Sequence, residues 1–182
     1  MRLEKIEENI EVPKEIAVSS EKNEIRLKTE KGELKRKLLN KKTEFTVENN
    51  TIKLTANKPS KREKKIIGTF KVHLKNMIHG LTEGYVYKLK ICSSHFPMNV
   101  SINNNELIIK NFFGETFPRK LKIIEGVEAK VEGEIITVNS INKEHAAQTA
   151  ASIEQLTRRV CFDRRVYMDG IYIIEKAGKE IK

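Results

Sequence analysis

Tryptophan is absent from this chain of 182 residues, and cysteine, proline and aromatic residues are scarce. Hydrophobic residues make up 38% of the sequence and aromatic residues 6%, which predicts small cores of aliphatic side chains with a few Phe. No apolar run approaches the roughly 20 residues that a membrane-spanning helix needs. The N-terminus also lacks the apolar stretch of a secretory signal peptide. These absences predict a cytoplasmic protein that does not enter a membrane.

Residue pairs that carry metal or nucleophilic chemistry are also scarce. Cys92 and Cys161 stand far apart without any Cys-x-x-Cys pair, which favours two free thiols in a reducing compartment over a disulfide. The four histidines never show the His-x-x-x-His spacing of a helical zinc site, so neither a metal nor a cofactor is predicted. Ser94 and His95 are adjacent, but a strand would send their side chains to opposite faces, which argues against a nucleophile and its base.

What the chain does contain is an internal repeat. Residues 23–33 align without a gap on residues 105–115, and five of the eleven positions are identical. Further matches follow in the same order, such as Arg36 with Arg119. The offset, 82 residues in the first segment, is too long for a solenoid unit and indicates two copies of a small domain. We therefore predict two tandem domains, residues 1–81 and 82–182, which suit a binding scaffold more than an enzyme.

Each half has the pattern of several strands followed by one helix. Alternating and β-branched runs between turn residues predict strands at 15–20, 24–29, 43–48, 51–56, 85–92, 99–103, 106–111, 120–124, 127–132, 134–139 and 170–175. Tight hairpin turns are predicted at 49–50, 103–105 and 132–133. Apolar residues at helical spacing predict one helix that ends at Gly80 and another over 146–160, with Asn142 as its N-cap. The predicted fold class is α+β: two tandem duplicated domains, each an antiparallel β-sheet packed with one principal helix.

The net charge of +10 favours a polyanionic partner. Residues 1–81 carry 20 Lys and Arg against 12 Asp and Glu, whereas residues 82–182 carry 15 against 13. Nucleic acid is the first candidate for the partner, and an anionic membrane surface is the second. On charge alone, a basic protein that is merely soluble remains an alternative.

Arginine is concentrated near the end of the chain. Four of the nine arginines fall within eight residues: Arg158, Arg159, Arg164 and Arg165. Guanidinium groups bind phosphates bidentately and stack on bases, which makes these residues candidates for an RNA contact. The first pair is expected in the last turn of a helix, where cations are favoured in any case. For the second pair, Arg164 and Arg165, another explanation is an ion pair with Asp163 or Asp169, or a turn that these aspartates form. For Tyr167, stacking on a base and packing in the core are both open, whereas Tyr172 is expected in the core.

Further basic groups are candidates for the same contact. Lys88 and Lys90 share one face of a strand about 7 Å apart, which is close to one phosphate spacing. Arg119 and Lys120 form another group after a turn. Five of the eight residues at 58–65 are basic, and a solvated face explains that run equally well.

Several segments carry a family resemblance, among them Ser-His-Phe-Pro at 94–97, Lys-Asn-Phe-Phe-Gly-Glu at 110–115 and Met-Asp-Gly-Ile-Tyr at 168–172. With the stretches at 68–78, 80–90 and 148–155, they resemble the universal large-subunit ribosomal protein L-six family, called nine in eukaryotes, in its archaeal and eukaryotic type. Order and spacing agree over almost the whole chain.

The resemblance implies a duplicated protein of the cytoplasmic ribosome without enzymatic activity. It implies that the C-terminal half binds large-subunit rRNA near the stalk base and the sarcin–ricin loop. Neighbouring ribosomal proteins and docking translational GTPases would lie nearby, and no membrane would be involved. The matching motifs carry over these rRNA contacts: Lys88, Lys90, His95, Arg158, Arg164, Arg165 and Tyr167. Arg119, Lys120 and Arg159 are further candidates.

Two other classes of protein remain open at this point. An RNA-modifying or RNA-cleaving enzyme would need a converging acid–base or metal constellation, and none is visible in the sequence. A protein-interaction adaptor would use its charge only for solubility, and its partner binding would survive high salt and nuclease treatment.

Overall fold

The computed structural model describes residues 5–21, 23–38, 43–48, 51–57, 59–163 and 165–181. The chain divides into two compact units, Met1–Glu83 and Gly84–Lys182. The helix of the first unit continues past residue 81, where the sequence placed the boundary, and ends at Thr82. We therefore propose that the two domains divide between Glu83 and Gly84.

The first unit combines strands with one long helix. In chain order its elements are β1 (Lys5–Glu11), β2 (Ala17–Glu21), β3 (Glu24–Thr29), β4 (Gly32–Lys37), β5 (Thr43–Glu48), β6 (Thr51–Asn57) and α1 (Lys61–Thr82). The strands form two antiparallel sheets in the orders β1-β6-β5 and β2-β3-β4. Alternate side chains of β3 and β6 are buried, so each strand turns one apolar face to the core. Helix α1 adds Ile67, Phe70 and Leu74 to that core at helical spacing.

Both ends of α1 have local causes. The Ser60 side chain accepts a hydrogen bond from the Arg62 amide (3.2 Å), and the Ser60 amide donates to the Glu63 carboxylate (2.9 Å), which completes a capping box. The predicted end at Gly80 is wrong, because Gly80 is a buried residue of the last helical turn. Gly84 follows the C-cap with a φ of +82°, a conformation that suits a residue without a Cβ atom.

The second unit repeats this order and extends it. Its elements are β7 (Tyr85–Cys92), β8 (Asn99–Asn103), β9 (Glu106–Lys110), a 3-10 turn (Phe112–Gly114), β10 (Arg119–Lys122), β11 (Val127–Glu132), β12 (Ile135–Ser140), α2 (Lys143–Leu156), β13 (Gly170–Lys176) and β14 (Lys179–Glu180). Five strands form an antiparallel sheet in the order β11-β12-β7-β13-β14, and three form another in the order β10-β9-β8. Helix α2 packs on the larger sheet through Ala146, Ala150 and Ile153, which are fully buried.

The predicted α+β class with two duplicated domains is confirmed, and each unit distributes its described strands over two sheets. The segments 23–33 and 105–115 contain β3 and β9, so the sequence repeat is also a structural repeat. After α2 the second unit adds β13, which pairs with β7, and β14. Among the described residues, no such pair follows α1, because α1 leads through Glu83 and Gly84 directly into β7.

Several boundaries differ from the sequence predictions. Strands β1 and β4 were missed because charged residues dominate both, and pairing with β6 and β3 holds them in place. The second helix ends at Leu156, not near residue 160, and Val160 is 78% exposed. Asn142 is confirmed as the N-cap of α2, and its side chain accepts from the Glu144 amide. The turn predicted at 49–50 lies outside the described residues. Within the described part of the chain, neither helix is long and apolar enough to cross a lipid bilayer.

The turns predicted at 103–105 and 132–133 are both present, the second of them one residue further along the chain. Asn103 pairs with Glu106, and the two residues between them, Asn104 and Asn105, have φ values of +46° and +64°. Such values at both central positions favour Asn, as in the tightest β-hairpins. The turn predicted at 132–133 is shifted by one residue. Glu132 is the last residue of β11, and Gly133 and Glu134 form the loop.

Candidate nucleic-acid interface

The arginine-rich segment lies in the loop between α2 and β13, residues 157–169, which we call the α2–β13 loop. Arg164 falls within it but lies outside the described residues. The buried Thr157 fixes the start of the loop, since its hydroxyl donates to the Glu154 carbonyl (3.1 Å) and accepts from the Ile171 amide (3.0 Å). Arg158 and Arg159 therefore follow the helix rather than forming its last turn, and the helix-end explanation for this pair is wrong.

The buried side chain of Asp169 fixes the other end of the loop. Its carboxylate accepts hydrogen bonds from the Ser94 amide (2.5 Å), the His95 amide (3.0 Å) and the Ser94 hydroxyl (3.0 Å), and it contacts His95 Nδ1 at 2.6 Å. Burial alone would raise the pKa of Asp169, but the hydrogen bonds from His95 and Ser94 outweigh it and lower the pKa. The ionised carboxylate thus joins the α2–β13 loop to the segment 93–98.

The relation between Ser94 and His95 differs from the sequence prediction. Their side chains lie together, with Ser94 Oγ 3.1 Å from His95 Nδ1, because residues 93–98 form a turn and not a strand. The Asp169 carboxylate contacts the same ring nitrogen, Nδ1. A catalytic relay needs the carboxylate on one imidazole nitrogen and the nucleophile on the other. The arrangement therefore positions a loop and does not activate the serine.

Four rings lie together on the α2–β13 loop and its neighbours, and we call them the aromatic cluster: His95, Phe113, Phe162 and Tyr167. The Tyr167 ring centroid is 5.1 Å from that of His95, 5.2 Å from that of Phe162 and 6.1 Å from that of Phe113. Tyr167 remains 37% exposed and Phe162 40% exposed. Tyr167 therefore does not belong to the core, and part of its ring surface is open to a ligand.

Arg159 is held against the aromatic cluster. Its guanidinium carbon lies 4.3 Å from the Phe162 ring centroid and 4.8 Å from that of Phe113, within the range of a cation–π contact. The hydrogen bond from Arg119 lowers the pKa of Glu115, and the charge of Arg159 adds to this effect. A guanidinium plane beside aromatic rings is a surface on which a nucleobase can stack.

Arg119 has an internal role in the structure. It donates two hydrogen bonds to the Glu115 carboxylate, at 2.8 and 2.6 Å, and a third to the Leu156 carbonyl, at 2.6 Å. Its guanidinium carbon lies 4.4 Å from the centroid of the Phe112 ring. These contacts fasten β10 to the end of α2 and engage most of the donors that a phosphate would need. Lys120, the next residue, is exposed.

Arg158 and Arg165 of the same loop face solvent. Arg158 is exposed, and its amide bonds to the Gln155 carbonyl (3.0 Å). The side chain of Arg165 is 90% exposed although it is paired with Asp163 at 2.9 Å. That pairing lowers the pKa of Asp163 through hydrogen bonds from the Arg165 side chain and backbone. An exposed ion pair costs little to break, so Arg165 can exchange this carboxylate for a phosphate.

Lys88 and Lys90 lie on the face of β7 that is turned away from the core, as the strand periodicity predicted. Lys88 is paired with Glu175 of β13 at 2.8 Å, and the hydrogen bond from this pairing raises the pKa of Lys88. Lys90 is exposed and stands opposite Tyr172 in the pairing of β7 with β13. Tyr172 shares this outer face and is only half-buried, so the expectation that it would be a core residue is wrong.

Phe113, Phe162 and Asp169 belong to the site although sequence reasoning did not select them as site residues. The spacing of Asp169 from Ser94 gives no local signal, because 75 residues separate the two partners. Phe113 has a φ of +50°, uncommon for an aromatic residue, and only the structure reveals it. Cys92 and Cys161 are free thiols. In the part of the chain that the structure describes, no three His, Cys, Asp or Glu side chains converge as metal ligands.

Fold and site together define a duplicated α+β protein whose second repeat presents arginines beside open aromatic rings. The family model described as "Ribosomal protein L6" matches residues 12–84 and 96–170, one segment in each repeat. The chain is 44% identical over 174 residues to the large ribosomal subunit protein uL6 of Methanococcus vannielii, covering 96% of each chain. It is 41% identical over 171 residues to the protein of the same name from Methanobrevibacter smithii, covering 94% of this chain and 96% of that one.

This chain belongs to the ribosomal protein L6 family. The resemblance predicted from its motifs is thereby confirmed, including its archaeal type. Because the family consists of structural ribosomal proteins, membership also confirms the prediction that the chain is not an enzyme.

Proposed function

We propose that the protein is a structural component of the large ribosomal subunit and that its second repeat binds rRNA near the stalk base and the sarcin–ricin loop. There it supports the region where translational GTPases dock, beside neighbouring ribosomal proteins. Family membership supports the ribosomal role, since both relatives bear the name of a large-subunit protein. The observation that carries the RNA contact is the α2–β13 loop, where exposed Arg158 and Arg165 flank the partly open Tyr167.

The contact works through charge and stacking. Exposed guanidinium groups neutralise RNA phosphates and release the cations condensed on them, which makes affinity fall as salt rises. Partly open rings add stacking on unpaired bases, which the folded RNA must present at matching places. Charge thus supplies most of the attraction, and the shape of the loop selects the place on the RNA.

Asp169 keeps this surface in one conformation. Four polar groups of Ser94 and His95 converge on its carboxylate, and the His95 ring packs against the Tyr167 ring. The contacts hold His95 and Tyr167 before RNA arrives, so that less conformational entropy is lost on binding. His95 therefore holds Tyr167 in place for RNA binding, in addition to offering its own ring as an RNA contact.

The candidate contacts differ in how free they are to bind RNA. Four of them are exposed cations: Lys90, Lys120, Arg158 and Arg165. Arg165 must exchange its exposed ion pair with Asp163 for a phosphate. Lys88 must first release Glu175, and Arg119 is engaged with Glu115 and Leu156. We place Arg119 in the support of the site and the exposed cations in contact with phosphates, with Arg164 as a further member whose position the structure does not describe.

The test is a filter-binding titration of the protein on large-subunit rRNA at several salt concentrations. We expect Arg158→Ala combined with Arg165→Ala to weaken binding and to flatten the plot of log affinity against log salt by about 1.5 units, since each lost phosphate contact removes somewhat less than one. The matched control removes the same charge from the first repeat, as Lys64→Ala with Lys65→Ala on the exposed side of α1. This control should leave the slope nearly unchanged.

Two outcomes would contradict the proposal. An unchanged slope in the double arginine variant would remove this pair from the interface, and an equal loss in the lysine control would show that only net charge matters. Hydroxyl-radical footprinting of the complex tests the location, and protection should cover rRNA near the sarcin–ricin loop. Binding to a protein partner that persists at high salt and after nuclease treatment would favour the adaptor alternative, whereas co-sedimentation with large subunits would support the ribosomal role.

A further inference from the structure

A cavity of about 300 Å³ opens beside the aromatic cluster, between the end of α2 and the α2–β13 loop. The residues that line it all belong to the second unit: Phe113, Glu154, Gln155, Thr157, Arg158, Arg159, Phe162, Tyr167, Asp169 and Tyr172. Its volume is at the lower end of the range for small-molecule sites, about 300–1,000 Å³. Asp169 and Thr157 are engaged in the loop contacts described above, so they support the wall of the cavity.

The lining combines flat surfaces with hydrogen-bonding groups. Phe162, Tyr167 and the Arg159 guanidinium offer planes on which an aromatic ligand can stack. Glu154 and Gln155, on the last turn of α2, also line the cavity, and one of them carries a carboxylate and the other an amide. Recognition of an unstacked base in RNA needs this combination, with planes for the ring and polar groups for its edge.

We propose that the cavity binds one unstacked purine base of the RNA and prefers guanine, with Glu154 reading its edge. The inference rests on the proposed function, because the RNA is the partner named there. Guanine presents two adjacent donors, N1–H and the N2 amino group, and a carboxylate can accept from both. Adenine presents one donor and one acceptor on the same edge, and an acceptor-only carboxylate cannot satisfy that pair.

Cations stand where the phosphates on either side of such a base would run. Arg158 lines the cavity and is exposed. Lys90 stands directly opposite Tyr172, which also lines the cavity, and Cβ atoms of such cross-strand pairs are about 4.5–5.5 Å apart. A stacked base with cations beside its backbone matches the general arrangement of single-strand recognition. Charge complementarity therefore favours a nucleotide over an uncharged aromatic ligand.

The test uses the full chain and three fluorescein-labelled hexaribonucleotides, UUUGUU, UUUAUU and UUUUUU, with binding followed by fluorescence anisotropy at low salt. We expect the guanine-containing strand to bind about tenfold more tightly than the adenine-containing one, the size of discrimination that one good bidentate contact provides. The Glu154→Gln variant should lose this preference. Glu128→Gln, which changes an exposed carboxylate on β11, should keep it.

A second pair of variants tests the stacking. Tyr167→Leu should weaken binding of both purine strands about fivefold or more, whereas Tyr167→Phe keeps the ring and should keep the affinity. Phe117→Leu is the matched control, since Phe117 is 85% exposed and does not line the cavity. Unfolding curves for each variant show whether a loss of affinity comes from misfolding. If Tyr167→Leu is misfolded, the proposal is judged from the Glu154→Gln and Tyr167→Phe variants.

The result that would overturn the inference is equal binding of all three strands, or a guanine preference that survives Glu154→Gln. Its failure can be told apart from failure of the proposed function. If the wild-type chain binds large-subunit rRNA without any base preference in the hexamers, the cavity assignment alone is wrong. If the wild-type chain does not bind large-subunit rRNA, the proposed function itself is wrong.

Discussion

The two repeats share one order of elements but distribute their positive charge in different ways. The first repeat holds the larger excess, 20 Lys and Arg against 12 Asp and Glu, and the basic residues that the structure describes there are spread over strands, turns and α1. Over residues 82–182 the counts are 15 and 13, yet Arg158, Arg159 and Arg165 share one loop with open aromatic rings. The comparison teaches that net charge attracts a polyanion, whereas clustered guanidinium groups and stacking planes create a place to bind it.

The difference originates in the segment that comes after each helix. Helix α1 passes through two residues into the next unit, whereas α2 is followed by the α2–β13 loop and two further strands. Functional residues concentrate on loops that a rigid scaffold holds in position. Here Thr157 bonds to Ile171 at the start of the loop and Asp169 bonds to Ser94 and His95 at its end, so the loop is fixed at both ends.

The largest expected effect tests whether the repeats are equivalent as folds. Leu74 of α1 and Ile153 of α2 are both 0% exposed in their cores. Truncating each to Ala should lower the free energy of unfolding by about 2–5 kcal/mol, because each leaves a cavity. Urea unfolding followed by circular dichroism measures both losses. A loss below about 1 kcal/mol in either variant would show that its helix is not part of a packed core.

The second prediction separates the repeats, because only the second has the Asp169 contacts. Asp169→Asn should lower the free energy of unfolding by about 2–3 kcal/mol, since the donors of Ser94 and His95 lose a charged acceptor. The control, Asp163→Asn, changes an exposed carboxylate and should have little effect. In amide NMR spectra, shifts should be confined to residues 84–182. Shifts of similar size throughout the first repeat would contradict the assignment.

Acid should reduce the contribution of Asp169. Its pKa in the folded protein is lowered from the ordinary value of 3.8, so its stabilisation is complete above that value and is lost as the pH falls below it. The difference in unfolding free energy between the wild type and Asp169→Asn should shrink as the pH falls below about 4. If this free-energy difference grew on acidification, the pKa of Asp169 would be raised in the folded protein and not lowered.

The smallest expected effect concerns the helix starts, where the repeats use different caps. Ser60 forms a capping box with Glu63, whereas Asn142 accepts one bond, from the Glu144 amide (3.0 Å). Ser60→Ala and Asn142→Ala should each lower the unfolding free energy by about 1 kcal/mol, with the larger loss at Ser60. Thermal unfolding of the two variants measures the comparison. Equal stability of Ser60→Ala and the wild type would argue against the capping box.

The fold was largely predictable because its signals are local. Alternating apolar residues in β3, β6 and β7 and helical spacing in α1 and α2 appear in the sequence as they do in the structure. Strands β1 and β4 were not predictable, since charged residues fill them and long-range pairing decides their conformation. The end of α2 was also missed, because the Thr157 hydroxyl bonds to the amide of Ile171, a residue of a different element.

The candidate site was predictable only as a set of residue types. Clustered arginines pointed to the α2–β13 loop, but their neighbours depend on contacts across the chain. Asp169 meets Ser94 across 75 residues, and Phe113 meets Phe162 at 5.9 Å although each belongs to a different loop. Such contacts have no sequence period, so no local pattern could distinguish the supporting Arg119 from the exposed Lys120 beside it.

The last strand of the larger sheet has a consequence for the protein before it reaches any partner. Strand β14 is two residues long, and both of them, Lys179 and Glu180, are charged and exposed. An outermost strand of this kind offers few free backbone groups and makes it costly for a foreign chain to add itself to the sheet. The β14 edge therefore disfavours edge-to-edge aggregation of molecules that have not yet bound RNA.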